Sequence, residues 1–365
     1  MPRKTRVIGL IFGGRSAEHE VSLRSAASVF QALESASYEV VPIFITRRGE
    51  WYWMPAELES FSTSSVPREE NRVILSPDPA HRGLIALNSK GGFRTISADV
   101  MFPVLHGPYG EDGTLQGLLE MANVPYAGCG VAASAVGMDK VLMKAAFMSS
   151  GLLVGPFFWF LNFEWMENEI GLTKRAAERG LPVFVKPANL GSSVGISRVD
   201  DMKDFPSAVG LALRYDRKVL VEDCIVGREL EVSVLGNDQP KASLAGEVIP
   251  TATFYDYEEK YLRDTAELVI PARLNSVEQA LAADTAIAAF KAVDGSGLAR
   301  VDMFLTPEGK MVVNEINTIP GFTSISMYPK LWEATGISYG DLVAELVELA
   351  VERHKNKQII ETDRL

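Results

Sequence analysis

Residues 300–321 read Arg-Val-Asp-Met-Phe-Leu-Thr-Pro-Glu-Gly-Lys-Met-Val-Val-Asn-Glu-Ile-Asn-Thr-Ile-Pro-Gly. Two apolar runs flank a Pro-Glu-Gly turn, which is the pattern of a β-hairpin. With Glu308 and Gly309 as the turn, Asp302 falls opposite Glu315 and Arg300 opposite Asn317. Side chains alternate along a strand, so these four polar groups share one face. Val301, Met303, Leu305, Val312 and Ile316 point to the other. A three-residue loop would shift the register and break the cluster. Two carboxylates and an amide are hard oxygen ligands suited to Mg²⁺ or Mn²⁺, and a glutamate between Asp302 and Asn317 can bridge two ions. Arg300 beside them can bind phosphate or a developing negative charge. A solvated sheet face with one ion pair fits the hairpin equally well.

The chain has 365 residues, 47% of them hydrophobic and 23% charged, enough for two or three globular domains. A formal net charge of -11 argues against a general nucleic-acid binder. Any phosphate site is then a local basic pocket on an acidic body. Two cysteines, Cys129 and Cys224, are too few for a disulfide framework and read as small buried residues. No secretory segment and no run of membrane-spanning length is present, so a soluble cytoplasmic protein is expected.

Outward from the hairpin, residues 6–12 read as a buried strand entering Gly13-Gly14, with a helix following to about residue 34. Strand, loop and helix in that order suggest a parallel α/β domain. The loop lacks the dinucleotide-binding glycine spacing. Glu18 either complements the helix dipole or faces a cationic ligand at the sheet edge. Residues 39–45 and 99–105 read as further strands, and residues 48–92 as a hairpin within a long irregular insertion. The glycine-rich loop 106–113 precedes a helix at 114–121 and is either an anion cradle or a plain connection.

Helical runs at 131–138 and 139–150 carry Lys140, by itself an ordinary surface lysine. Strands are expected at 156–161, 181–187, 196–199, 218–222, 230–235 and 241–248. Lys186 ends an apolar strand, an unusual place for an unpaired lysine. The loop 189–195, Asn-Leu-Gly-Ser-Ser-Val-Gly, offers backbone N–H groups and the hydroxyls of Ser192 and Ser193 to phosphates, though it is not a P-loop. Residues 253–261 are polar, aromatic and aperiodic, in the manner of a loop that closes over a site. Helices at 275–293, 329–335 and 339–354 complete the chain.

Taken together, Phe-Val-Lys-Pro, Asn-Leu-Gly-Ser-Ser-Val-Gly, Val-Glu-Asp-Cys-Ile, Arg-Val-Asp and Asn-Glu-Ile-Asn-Thr-Ile-Pro-Gly resemble the ATP-grasp fold. Gly-Gly-Arg-Ser-Ala-Glu-His-Glu-Val-Ser, His-Gly-Pro-Tyr-Gly-Glu-Asp-Gly-Thr-Leu-Gln-Gly and Phe-Tyr-Asp-Tyr-Glu-Glu-Lys-Tyr narrow the likeness to the D-alanine–D-alanine ligases. It spans roughly residues 6–353. It implies an α/β (α+β) chain in three lobes: an N-terminal parallel α/β domain at 1–138, a small central domain at 139–225 and a C-terminal domain at 226–365. ATP would be held between the last two.

The resemblance also implies a reaction. ATP phosphorylates one D-alanine, and the amine of a second attacks the acyl phosphate, supplying a precursor of peptidoglycan. Asp302, Glu315 and Asn317 match ligands of two Mg²⁺ or Mn²⁺ ions. Lys140, Lys186 and Lys260 match phosphate contacts, with Ser193 and Asn314 also on the nucleotide side. Glu222 matches the adenine acceptor, with backbone at Asp223 and Ile225, and Glu229 the ribose contact. Glu18 matches the carboxylate for the first ammonium, and Ser192 and Tyr261 its hydrogen-bonded partners, which pin the lid. Arg300 and the Gly321 N–H match oxyanion stabilisers. Ser326 matches the second substrate's carboxylate contact, and His106 lines the first pocket. Tyr261 favours a second amino acid over a hydroxy acid. Asp223 departs from the lysine or glutamine common in relatives, and a homodimer through the N-terminal lobe fits the family.

Overall fold

The computed structural model describes residues 6–81, 83–87, 92–191, 194–249 and 267–361. Val7–Gly13 lies inside a four-stranded sheet ordered Trp51–Trp53, Glu39–Ile45, Val7–Gly13, Val100–Val104. The last three strands run parallel. Parallel strands present their following loops at one end of the sheet, so the segments after Gly13 and Val104 converge there.

The described residues of the segment 48–92 hold more regular structure than its composition suggests. Val73–Leu75, Gly83–Leu87 and Phe93–Ser97 form an antiparallel sheet of their own. Val73, Leu75, Leu84 and Ala86 pack with Ile43, Leu115 and Leu119. Strands this short show little periodicity in sequence, and only packing on a larger core stabilises them.

A second, antiparallel sheet is ordered Ser197–Val199, Val183–Pro187, Lys218–Asp223, Phe157–Leu161. Val183, Val185, Val219 and Val221 pack beneath Trp165, Phe205 and Val209 of helices Asn162–Ala177 and Phe205–Ala212. Alternation turns Lys186, Leu220 and Glu222 to the opposite face. Helix Lys140–Ser149 lies there, with Val141 against Leu220 and Ala188.

The third sheet runs Glu267–Val269, Gly246–Ile249, Arg228–Gly236, Gly297–Leu305, Met311–Asn317, with Lys241–Ala242 also paired to Arg228–Gly236. The single strand expected at 241–248 is therefore two. The Leu244 N–H donates to Thr335 Oγ1 at 2.9 Å and the Ala245 N–H to Gln279 Oε1 at 3.2 Å, which takes both out of the ladder. The apolar face of this sheet packs on helix Ser276–Ala292.

The last helix, Tyr339–Gln358, returns to the first lobe. Its Leu342, Val343, Leu346 and Val347 share one core with Ile8, Leu10, Val29 and Phe30. This packing brings the end of the 297–317 hairpin to the loops after Gly13 and Val104. Cys129 is buried as expected, whereas Cys224 is only half-buried, because it lies just past a strand end.

Candidate active site

The two strands of the hairpin pair Arg300 with Asn317 and Asp302 with Glu315. The expected pairs form, but by a different route. The Thr306 N–H donates to Lys310 O and the Gly309 N–H to Thr306 O, both at 2.9 Å, so residues 307–309 make a three-residue loop. Gly309, at φ +76°, takes the left-handed position such loops require. Its odd length pairs Met303 with Val313 and Leu305 with Met311. Unbroken, that register would turn Glu315 to the core. A bulge between Asp302 and Met303 absorbs Asn314 and restores the polar face. One expectation is corrected: Val313, not Val312, joins Met303 in the core, and Val312 lies opposite Phe304 on the polar side.

Strand Arg228–Gly236 adds a residue the sequence reading passed over. Glu231 lies opposite Asp302, completing a cross-strand row Glu231, Asp302, Glu315. The alternation of Glu229, Glu231 and Ser233 with Leu230 and Val232 was the available signal. Arg300 lies between the first two carboxylates. Its Nε and Nη2 donate to Asp302 at 2.7 and 2.6 Å, and Nε lies 3.0 Å from Glu231 Oε2. Asn317 Nδ2 also donates to Asp302, at 3.2 Å. Burial works against the Arg300 charge, but Asp302, Glu231 and Glu315 outweigh it and raise its pKa well above normal.

The second group surrounds Glu222. Its Oε1 lies 2.6 Å from Lys144 Nζ and its Oε2 2.6 Å from Lys186 Nζ. Burial alone would raise the Glu222 pKa, yet the two ammonium groups hold it at about 2. Lys186 is likewise opposed by burial, and Glu222 and Glu315 keep its pKa raised. Lys140 is not the surface lysine that helix position alone suggests. It is 7% exposed, and its Nζ donates to Leu190 O at 2.6 Å, which ties the helix start to the small-residue loop. Burial and the nearby Lys186 lower its pKa, against the attraction of Glu315 and Glu222. The hairpin and the lysines therefore share one electrostatic environment.

Beside Glu222, the Asp223 carboxylate takes two bonds from Arg179, at 2.5 and 3.0 Å, and its N–H donates to Pro156 O. Ile225 is half-buried beside Gly155, and Glu229 sits one alternation from Glu231 on the polar face.

A third group gathers where the lobes meet. Glu18 and His106 are buried and Glu111 is half-buried beside them, close enough for the Glu18 charge to act on both. Gly107, at φ +77°, passes so close that a Cβ would lie 2.9 Å from Glu18 Oε2; a Cβ on Gly191 would lie 3.6 Å from the same oxygen. His106 bonds Ser25 Oγ through Nε2 and Ile319 O through Nδ1, at 3.2 and 3.0 Å, and burial lowers its pKa despite Glu18. Glu111 was not singled out from sequence. Its Oε2 accepts from the Gly107 N–H at 2.6 Å and its Oε1 from the Ile319 N–H at 3.2 Å, joining the two lobes. Burial and the charge of Glu18 raise its pKa to about 8. Gly321 lies between Ile319 and Ser326, and Ser326 Oγ accepts from the Thr323 N–H at 3.1 Å. A Cβ on Gly321 would meet Ser326 Oγ at 3.1 Å.

Ser192, Ser193, Lys260 and Tyr261 lie outside the described residues. Among the described residues, no three or more His, Cys, Asp or Glu side chains are placed to hold a metal. The candidate set is instead two carboxylates and an amide.

Known proteins resemble this chain over nearly its whole length. Residues 7–129 match the family model described as D-ala D-ala ligase N-terminus, and residues 146–348 that of the D-ala D-ala ligase C-terminus. The D-alanine–D-alanine ligase of Bacillus licheniformis is 47% identical over 359 residues, covering 98% of this chain and 99% of the relative. A solved D-alanine–D-alanine ligase from Coxiella burnetii superposes with a TM-score of 0.85 at 40% identity, covering 98% of this chain and 97% of that one. A D-Ala:D-Ser ligase from Enterococcus faecalis gives 0.84 at 36% identity, covering 95% and 100%. Matched over nearly its whole length, this α/β chain belongs to the D-alanine–D-alanine ligase family, with the ATP-grasp fold.

Proposed function

We propose that this protein joins two molecules of D-alanine, consuming ATP and releasing ADP and phosphate, for peptidoglycan precursor synthesis. The observation that carries the reading is the row Glu231, Asp302, Glu315, whose Glu315 lies within electrostatic reach of Lys140 and Lys186. Carboxylates beside buried lysines suit a metal-bound triphosphate. Asp302, Glu315 and Asn317 would hold two Mg²⁺ or Mn²⁺ ions, for which their hard oxygen donors on adjacent strands are suited. Bound there, the ions neutralise phosphate charge.

Lys140, Lys186 and Lys260 bind the phosphates, with Ser193 and Asn314 on the same side. Glu222 accepts from the exocyclic amine of adenine, and Glu229 from the ribose. The Asp223 N–H is bonded to Pro156 O, so any backbone contact from Asp223 uses its carbonyl; Ile225 supplies the neighbouring one.

Glu18 takes the ammonium of the first D-alanine, with His106 lining that pocket and Ser192 and Tyr261 pinning the lid. The first carboxylate attacks the γ-phosphorus, ADP leaves, and the second amine attacks the acyl carbon. Arg300 and the Gly321 N–H stabilise the tetrahedral oxyanion before phosphate departs, and Ser326 orients the second substrate's carboxylate. Closure over the site keeps water from the acyl phosphate.

We also propose the lobes 1–138, 139–225 and 226–365, a homodimer through the first lobe, and a cytoplasmic location. No described helix is long and apolar enough to cross a membrane.

The test is phosphate release from Mg-ATP with D-alanine, L-alanine, D-serine or D-lactate as acceptor. Release with D-alanine alone, accompanied by the dipeptide, is expected. No amino-acid-dependent release would overturn the reading.

A further inference from the structure

Two ammonium groups on one buried carboxylate are more than charge balance requires. Lys140 and Lys144 lie one turn apart on helix Lys140–Ser149, so their side chains leave the same face. Lys140 reaches Leu190 O and Lys144 reaches Glu222. The Lys144 side chain is 2% exposed, whereas that of Lys186 is 14% exposed. The two counter-ions of Glu222 therefore differ. One is enclosed in the interior, and the other is partly exposed and within electrostatic reach of Glu315. A lysine that serves a triphosphate cannot keep a 2.6 Å contact to one carboxylate oxygen at full strength. When it turns, an unaccompanied Glu222 would be a buried charge of high cost and would take up a proton.

We propose that Lys144 is a positioning residue of the nucleotide site: it stays with Glu222 Oε1 when Lys186 turns to the triphosphate, which leaves Oε2 ionised and open to an exocyclic amine. This rests on the reading of Glu222 as the base acceptor. An ionised oxygen accepts from the amine of adenine and repels the carbonyl that replaces it in hypoxanthine. A protonated carboxyl would donate to that carbonyl instead. Lys144 thus acts on base selection without touching the nucleotide.

The experiment compares wild type, Lys144→Met and Lys144→Arg in steady-state phosphate release with ATP and with ITP at saturating D-alanine. Lys144→Met should raise KM for ATP about tenfold or more. It should also lower the ATP-to-ITP ratio of kcat/KM by a similar factor, with KM for D-alanine within about twofold. Lys144→Arg keeps the charge and should restore most of the ratio. Far-ultraviolet circular dichroism and D-alanine KM identify molecules that remain folded, and the arginine variant carries the test if methionine prevents folding. Arginine with the ratio of a neutral residue would overturn the proposal. A wild-type preference for ATP that survives Lys144→Met would overturn it while leaving Glu222 as the acceptor. A wild type indifferent to the base would remove the acceptor reading itself.

Discussion

Asp302 and Glu315 face each other across the hairpin because two one-residue irregularities cancel: an odd loop at 307–309 and a bulge at Asn314. Either alone would turn Glu315 toward Val301 and Val313, where an unpaired carboxylate is costly. The bulge also bends the strand at its most polar point. The first prediction follows from that placement. Glu315→Gln keeps volume and hydrogen bonding but removes the charge meant to bridge two ions. Turnover should fall by on the order of a hundredfold or more, with the circular dichroism spectrum unchanged. Near-wild-type phosphate release would remove Glu315 from the metal site.

Glu231 acts on the same centre through Arg300. Glu231→Gln leaves the guanidinium on Asp302 alone, strengthening the grip on an oxygen meant for a metal. The expected result is a weaker apparent affinity for Mg²⁺ and a kcat lowered by about tenfold. A magnesium titration of the rate, run beside wild type, decides it. Superimposable titrations would show Glu231 to be merely structural.

Stability should respond to pH through Glu111. Burial and Glu18 raise its pKa from 4.5 to about 8, with His106 and Arg300 also facing the pocket. The folded state therefore binds this proton more tightly than the unfolded chain. The contribution is fully present below the ordinary carboxylate pKa and is lost as pH rises through about 8. Glu222, held at about 2, behaves oppositely and loses its contribution as pH falls below 4.5. Thermal melts should show Tm falling between about pH 5 and 8.5, and Glu111→Gln should flatten that slope. An unaltered slope in the variant would assign the pH dependence elsewhere.

Asp223 should matter little to the nucleotide. Its carboxylate is held by Arg179, and the two side chains are 22% and 30% exposed. Such pairs contribute at most about 1 kcal/mol. Asp223→Lys places two cations together and should lower Tm by a few degrees, leaving KM for ATP within about twofold. A large KM change would place the Asp223 side chain at the base.

Tyr261→Phe tests the lid assignment. Loss of the hydroxyl should increase the D-lactate to D-alanine product ratio at neutral pH. The products of mixed-substrate reactions, separated by chromatography, give that ratio directly, and an unchanged value would count against the role.

Local pattern decided much of this protein. Alternation in 300–317 placed Arg300 against Asn317 and Asp302 against Glu315, and apolar runs at 6–12, 39–45 and 181–187 located the strands Val7–Gly13, Glu39–Ile45 and Val183–Pro187 to within two residues. Periodicity reports which face a residue takes, and a face is a property of consecutive residues. Loop parity is not, so the three-residue turn and its compensating bulge were invisible, as was the split of the strand at 241–248. Burial of Lys140 and Lys144, the two ammonium groups on Glu222, and the clasp of Glu111 on Ile319 were decided only by tertiary structure. Each depends on elements far apart in the chain being packed together, and no spacing along a sequence encodes the desolvation that gives such charges their effect.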